Sequence, residues 1–512
     1  MEEMKLDESP GFPNFDSRQE FYDFVENETD LYALNYLGYP WYWAYKMTIN
    51  TGAMERAKRT PSQEIESIRF NDFKNKLPLL SKQYDYAFFL KSKMRSSSPT
   101  QIENLYAKEV LDYLKKEGKT FIIFEQLDNN PNCDLKYLKS EYAEHILPYE
   151  YIKEAIAHQI VGQLQSMMNE YVALVNDKFA NATYPDRHLA RINQMQKTYL
   201  ELVNLIPNIV CNQILLKQLN IKALFGGMGH HLMAGLSNDF SVVEIGHGYP
   251  GPFAVLKRIH KPAKDYLKNN LGLNRFYQLF LSTADYITDG EYLCLDENRL
   301  NYGMPDLRAY HYSEDRIKDL LTKLDVQESE RNILITTSGW VQHQKLNKII
   351  LEILNRFDRV NVLLKPHPSY ENEEKHSLKH PRFKTVTNEN KHDLFSISDI
   401  VISVPSSMAR EASRFTDKVI VFPDAAADSL YAFHVLRFQY PEARVVPLGS
   451  RQEFLNTLDE FLSSPRSKKD FTKTIVDPDR VINELFNRIG MLNFEERGSK
   501  QEGAAVCHGG AQ

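Results

Sequence analysis

Short apolar runs, several closed by glycine, proline or serine and several followed by an amphipathic helical stretch, recur along most of this chain. Few folds accept that alternation. A strand buried on both faces reads as an unbroken apolar run, and its parallel neighbour must be reached by a crossover, usually a helix. The first series starts at Tyr84 with YDYAFFL, followed by a polar loop, the helical IENLYAKEVLDYLKKEG with Gly118 as its stop, and the strand-like KTFIIFEQ. Residues 145–220 then carry apolar positions at helical spacing, with Pro207 interrupting or ending a helix. IKALFGG, FSVVEIGHG and ADYITDGEYL read as further strands. A charged helical stretch over 306–330 leads to a second series: NILITTSG, LNKIILEILNRF, VNVLLKPHP, FKTVT, KHDLFSIS, DIVISVPSS, SMAREASRF and KVIVFP. Strand and helix alternate there as a doubly wound domain requires.

A chain of 512 residues is too long for one core. The reading is an α/β protein of two such domains: a helical and aromatic cap over 1–80, a first α/β domain with a helical insertion over 81–305, a second over 306–490, and a disordered tail over 491–512. In the cap, Trp41 and Trp43 stand in one aromatic run that reads either as a packing plug or as an acceptor-binding surface. A net charge of −6 argues against a nucleic-acid binder held by a broad basic face. The four cysteines form no C-x-x-C pair, which fits a reducing cytoplasm. The acidic N-terminus lacks an apolar core, and no run reaches about 18 apolar residues, so neither export nor a membrane span is expected.

In open α/β sheets, ligands bind beyond the carboxyl ends of the strands, and the distinctive motifs all fall there. In SDIVISVPSSMAREASRF a strand turns through Pro405, Ser406 and Ser407 into a helix. Ser406 and Ser407 offer hydroxyls beside free backbone N–H groups, and Glu411, one turn on, offers a carboxylate to ribose or sugar hydroxyls. An ordinary serine cap with a surface glutamate fits the same residues. In LLKPHPSYE, Lys365 and His367 stand at a strand mouth as phosphate ligands, or as part of a stiff proline turn. In EIGHGYPGPF, His247 is a candidate general base for an acceptor hydroxyl, or a satisfied loop histidine. Ser338 in TTSGW is placed to line the diphosphate side, and Glu291 in TDGEY is a candidate acid/base carboxylate. No metal site is expected: His230 and His231 lack a third ligand, and Asp477-Pro478-Asp479 reads as a helix cap.

HGYPGP, TDGEYL, YGMP, LLKPHPSYE, HDLFSISDIVISVPSSMAREA and KVIVF together resemble the GT-B transferases of bacterial surface and capsule polysaccharide synthesis, which are related to the CDP-glycerol glycerophosphotransferases. The resemblance spans roughly 80–430. It implies a GT-B-like fold, two doubly wound Rossmann-like domains facing a cleft. It also implies a donor site built from Lys365, His367, Ser406, Ser407 and Glu411, with His247 near the reacting centre. Gly246 stands where the glycerophosphotransferases carry Trp, and Pro405 where they carry Asp, which favours glycosyl transfer over glycerol-phosphate transfer.

The function expected is a metal-independent glycosyltransferase that moves a sugar from a nucleotide-sugar donor (UDP-, CDP- or CMP-linked) to a glycan or lipid-linked glycan acceptor. No tightly bound cofactor and no nucleic-acid partner are expected. The expected setting is the cytoplasm, with room for peripheral association with a polysaccharide-assembly complex at the inner membrane face. A glycerophosphotransferase-type polymer transferase, a sugar-nucleotide epimerase of the same fold and a non-catalytic nucleotide-sugar-binding protein remain alternatives.

Overall fold

The computed structural model describes residues 15–37, 39–42, 44–45, 62–91, 95–96, 102–103, 107–126, 135–180, 184–226, 240–245, 279–282, 299–327, 330–337, 343–366, 378–403, 407–421, 443–446 and 451–491. The chain divides into two compact units. The first comprises Arg18–Gly303 with Asp477–Gln512, and the second Met1–Ser17 with Met304–Val476.

The first unit is built on seven strands: β1 (Tyr86–Lys91), β2 (Phe121–Gln126), β3 (Ile146–Pro148), β4 (Ala223–Gly226), β5 (Ser241–Ile245), β6 (Leu279–Ser282) and β7 (Arg299–Asn301). They lie in the order β7-β6-β5-β4-β1-β2-β3, with every pairing parallel. The chain winds outward from β1 in one direction and returns at β4 to wind in the other, so the switch point lies between β1 and β4. Buried apolar side chains such as Ala87, Phe89, Ile122, Phe124 and Leu224 explain why these strands read as continuous hydrophobic runs.

The helices of this unit are α1 (Phe15–Glu28), α2 (Gln63–Lys76), α3 (Lys108–Lys116), α4 (Tyr149–Gln159), α5 (Val161–Ala180), α6 (Asp186–Glu201) and α7 (Ile206–Leu219). Gly118, at φ +63°, follows the end of α3 as expected of a left-handed stop. Pro207 does not end a helix. It sits in the first turn of α7, where it has no intrahelical N–H to forfeit, after a 3-10 segment over Leu202–Leu205. The helical run Asp186–Leu219 is long and apolar enough to cross a membrane by length and composition, but half of that window is buried inside the unit. Ile209, Val210, Leu215, Leu216 and Leu219 of α7 are all core residues.

The aromatic run of the cap packs into one core with α5, α6 and the start of α7. Trp41 is fully buried, its ring 4.2 Å from Tyr171 and its indole N–H donating to the Tyr36 carbonyl at 2.9 Å. For Trp41, therefore, the packing plug is the correct reading; the Trp43 side chain lies outside the described residues. The helix over 478–491 also belongs to this unit. Its Phe486 stacks on Tyr113 at 5.1 Å, and Asp477 caps it by accepting from the Asp479 N–H at 3.0 Å.

The second unit carries β8 (Arg331–Thr336), β9 (Val360–Lys365), β10 (Phe383–Thr385), β11 (Ile400–Ser403), β12 (Val419–Val421) and β13 (Arg444–Val445). They are parallel in the order β10-β9-β8-β11-β12-β13, the arrangement of dinucleotide-binding sheets. Every residue of β9 and β11 is buried. The helices are α8 (Glu314–Lys323), α9 (His343–Arg356), α10 (Lys391–Ile397), α11 (Ser407–Ala412) and α12 (Arg451–Ser463). α9 shows the helical rule plainly: Leu346, Ile350, Ile353 and Leu354 fall on its buried side, against β8 and β9 residues.

Two details depart from the expectations or escape them. ADYITDGEYL, read as a strand, lies outside the described residues, and β6 and β7 flank it instead. β3, inside a stretch read as helical, is three residues long, too short to leave a period in the sequence.

Candidate functional site

The switch point of the second sheet lies between β8 and β11. Register places Lys365, Thr336, Ser403 and Val421 in one row across four neighbouring strands, at their carboxyl ends. The Thr336 hydroxyl donates to the Ser403 hydroxyl at 2.7 Å and ties the two switch-point strands together. The described chain leaves the sheet at Thr337, Pro366 and Ser403, on three adjacent strands. In sequence, Ser338 and His367 directly follow two of these points, and Ser406 lies three positions after the third. This is where a crevice for a ligand is expected in an open α/β sheet.

Glu411 of α11 is the best-defined ionisable group here. It is 6% exposed, and its Oε2 takes the Lys391 ammonium at 2.6 Å and His392 Nε2 at 3.1 Å. Lys391 also reaches Asp306 Oδ2 at 2.5 Å, so one ammonium is shared by two carboxylates. Burial alone would raise the Glu411 carboxyl; the Lys391 charge and the His392 hydrogen bond outweigh it and bring it down to about 2. His392 stacks on Phe415 and lies beside Tyr310, with ring centroids 5.9 and 5.0 Å away. Asp393, next in sequence, accepts from the Tyr310 hydroxyl at 2.9 Å and from Arg316 Nε at 3.0 Å. Asn390 caps α10 by accepting from the His392 N–H at 2.8 Å, which fixes the turn presenting Lys391 and His392.

Lys365 is 9% exposed, and its ammonium donates to the Thr387 carbonyl. Glu389, in the same turn as Thr387, pairs with Lys323 at 3.0 Å. Burial raises the Glu389 carboxyl, but Lys323 and Lys365 together leave it below its ordinary value.

In the first unit, a second charged cluster sits at the carboxyl end of β2. Arg69 of α2, fully buried, contacts Glu125 Oε2 at 2.7 Å and Glu150 Oε1 at 2.5 Å. Glu125 Oε1 and Glu150 Oε2 are buried without a hydrogen-bond partner.

Of the residues singled out from the sequence, Lys365 and Glu411 are described in full and Ser407 only by its backbone, as the first residue of α11. Lys365 shares the switch-point row, and Glu411 lies on the helix that begins just beyond it. His247, Glu291, Ser338, His367 and Ser406 lie outside the described residues. Sequence reasoning missed Lys391 and His392 as partners of Glu411, Asp306 as the second partner of Lys391, and the Arg69 cluster. The available signal was a lysine and a histidine opening a short helix, Lys391 and His392, and one acid, Glu125, inside an apolar strand. Among the described residues, no group of three or more His, Cys, Asp or Glu side chains is placed to hold a metal ion.

No protein-family model and no curated protein matches the chain. Solved structures similar to it include the spinosyn rhamnosyltransferase SpnG complexed with spinosyn aglycone, at 13% identity and a TM-score of 0.36, covering 79% of this chain and 96% of that one. A UDP-GlcNAc 2-epimerase from Neisseria meningitidis bound to UDP-GlcNAc gives 12% identity and a TM-score of 0.42, covering 78% and 98%. The wall teichoic acid polymerase TagF gives 12% identity and a TM-score of 0.34, covering 84% and 96%. At these values the similarities say nothing of activity. The strand order alone carries the conclusion on the fold: an α/β chain of two parallel, doubly wound sheets with an N-terminal helical cap.

Proposed function

We propose that this chain is a glycosyltransferase of capsule or surface polysaccharide synthesis, moving a sugar from a nucleotide-sugar donor to a glycan or lipid-linked glycan acceptor. The observation that supports it best is the switch point of the second sheet. Lys365, Thr336 and Ser403 form one polar row there, and His367, Ser406 and Ser407 follow these strands within a few positions in the sequence. Under this reading those segments hold the donor phosphates, and Glu411 accepts hydrogen bonds from ribose or sugar hydroxyls. Fixed donors around a leaving nucleotide stabilise the charge that develops as the bond between the anomeric carbon and the phosphate oxygen breaks. His247 takes the proton of the acceptor hydroxyl as its oxygen bonds to the anomeric carbon. The setting under this reading is the cytoplasm, at the inner membrane face where a lipid-linked acceptor is met.

The test separates chemistry from binding. His247→Ala should lower nucleotide release from a nucleotide sugar in the presence of acceptor by about 10²–10⁴-fold, the range of a lost general base. Its Kd for the free nucleotide should stay that of the wild type. Undiminished turnover in His247→Ala would overturn the assignment of the base.

A further inference from the structure

We propose that Lys391 is a positioning residue of the donor site: its ammonium, held between Asp306 and Glu411, fixes the Glu411 carboxylate in the orientation that receives ligand hydroxyls. The inference rests on the donor reading given above and adds a residue that no motif marked.

The geometry is specific. Both Lys391 Nζ and His392 Nε2 bond the same oxygen, Oε2, at 2.6 and 3.1 Å, and no described hydrogen bond or ion pair uses Oε1. Oε2 is thus the anchored oxygen, and under the donor reading Oε1 is the one that meets ligand hydroxyls. The three charged side chains are all largely covered, with Lys391 at 19%, Asp306 at 13% and Glu411 at 8% side-chain exposure. A carboxylate so covered, facing a His392 ring that itself packs beside Tyr310, Phe395 and Phe415, is costly unless a full charge faces it. His392 is tied to the same short helix by its backbone, so without Lys391 the carboxylate keeps one partner and loses the one that carries a permanent charge at neutral pH. Asp306 sits in the turn Pro305–Arg308 and fixes the ammonium from the far side. The three elements, that turn, α10 and α11, are therefore locked through one nitrogen.

The experiment is a double-mutant cycle on nucleotide affinity, with UDP, CDP, CMP and GDP titrated by calorimetry into the full chain. Lys391→Met should weaken binding roughly tenfold, within the span of coupled neighbours. Lys391→Arg should recover most of that loss, which a role in packing alone would not explain. In the Glu411→Gln background, Lys391→Met should cause no further loss, because its effect runs through the carboxylate. Additive losses, or wild-type affinity in Lys391→Met, overturn the positioning role while the donor reading stands. Failure of the wild type to bind any of the four nucleotides overturns the donor reading and the positioning role together. If Lys391→Met does not fold, Lys391→Gln replaces it in the same cycle.

Discussion

A carboxylate as buried as Glu411 stays ionised only where a cation faces it, and here Lys391 supplies it from a neighbouring helix, with the His392 hydrogen bond beside it. Its folded-state value of about 2 lies below the ordinary 4.5. The sign follows: this carboxylate contributes stability that is complete above the unfolded value, and that is lost as pH falls toward the folded one. Glu411→Gln should therefore show a flatter acid limb of stability between pH 4.5 and about 2 than the wild type, measured by urea unfolding across pH. An acid limb identical in the two proteins would contradict the pairing. The positions of Glu411 and Lys365 at the sheet's carboxyl edge were legible in the sequence because each stands at or just beyond the mouth of an apolar strand. Their partners were not. Lys391 and His392 read as the opening of an ordinary helix, and the contact from His392 to Glu411 spans 19 positions that no local pattern joins.

Elements are where the sequence spoke most clearly. Strands such as β9 and β11 are buried on both faces, so unbroken apolar runs located them; α9 carried its period openly. What locks elements to one another left weaker traces. Arg69 joins α2 to β2 and to the first turn of α4, and the guanidinium must balance two carboxylates, one buried and one part-buried. Burial pushes the Glu150 carboxyl up, and Arg69 offsets only part of that push. Arg69→Ala leaves both carboxylates without their cation, a loss expected to cost about 3–5 kcal/mol. Replacing Arg69 and Glu125 together by Met and Leu should recover part of it, since the fully buried carboxylate is then gone and only the part-exposed Glu150 keeps an unpaired charge. Urea midpoints at unchanged m-value would read both effects. A loss below about 1 kcal/mol in Arg69→Ala, the level of an exposed pair, would show that the cluster does not hold these elements.

At the scale of the molecule, each unit repeats one plan: a parallel sheet wound out from a central strand, then back, leaving a switch point at its carboxyl edge. Two alternating series in the sequence were enough to expect that plan, because parallel pairing forces the crossovers. The strand order, and with it the place of each switch point, came only from the pairing itself. Overall acidity at net charge −6 confines any anion binding to local groups, and the proposed donor site looks for them at the second switch point, where Lys365 stands. The most direct measurement is a thermal-shift screen of the wild type against UDP, CDP, CMP, GDP and their sugar conjugates. A ligand at a hundredfold excess over its Kd stabilises the folded state by about 2.7 kcal/mol. The account predicts a rise in Tm with one nucleotide class, reduced in both His367→Ala and Glu411→Ala. No rise with any member of the panel, or a rise untouched by either substitution, would contradict a donor site at the carboxyl edge of the second sheet.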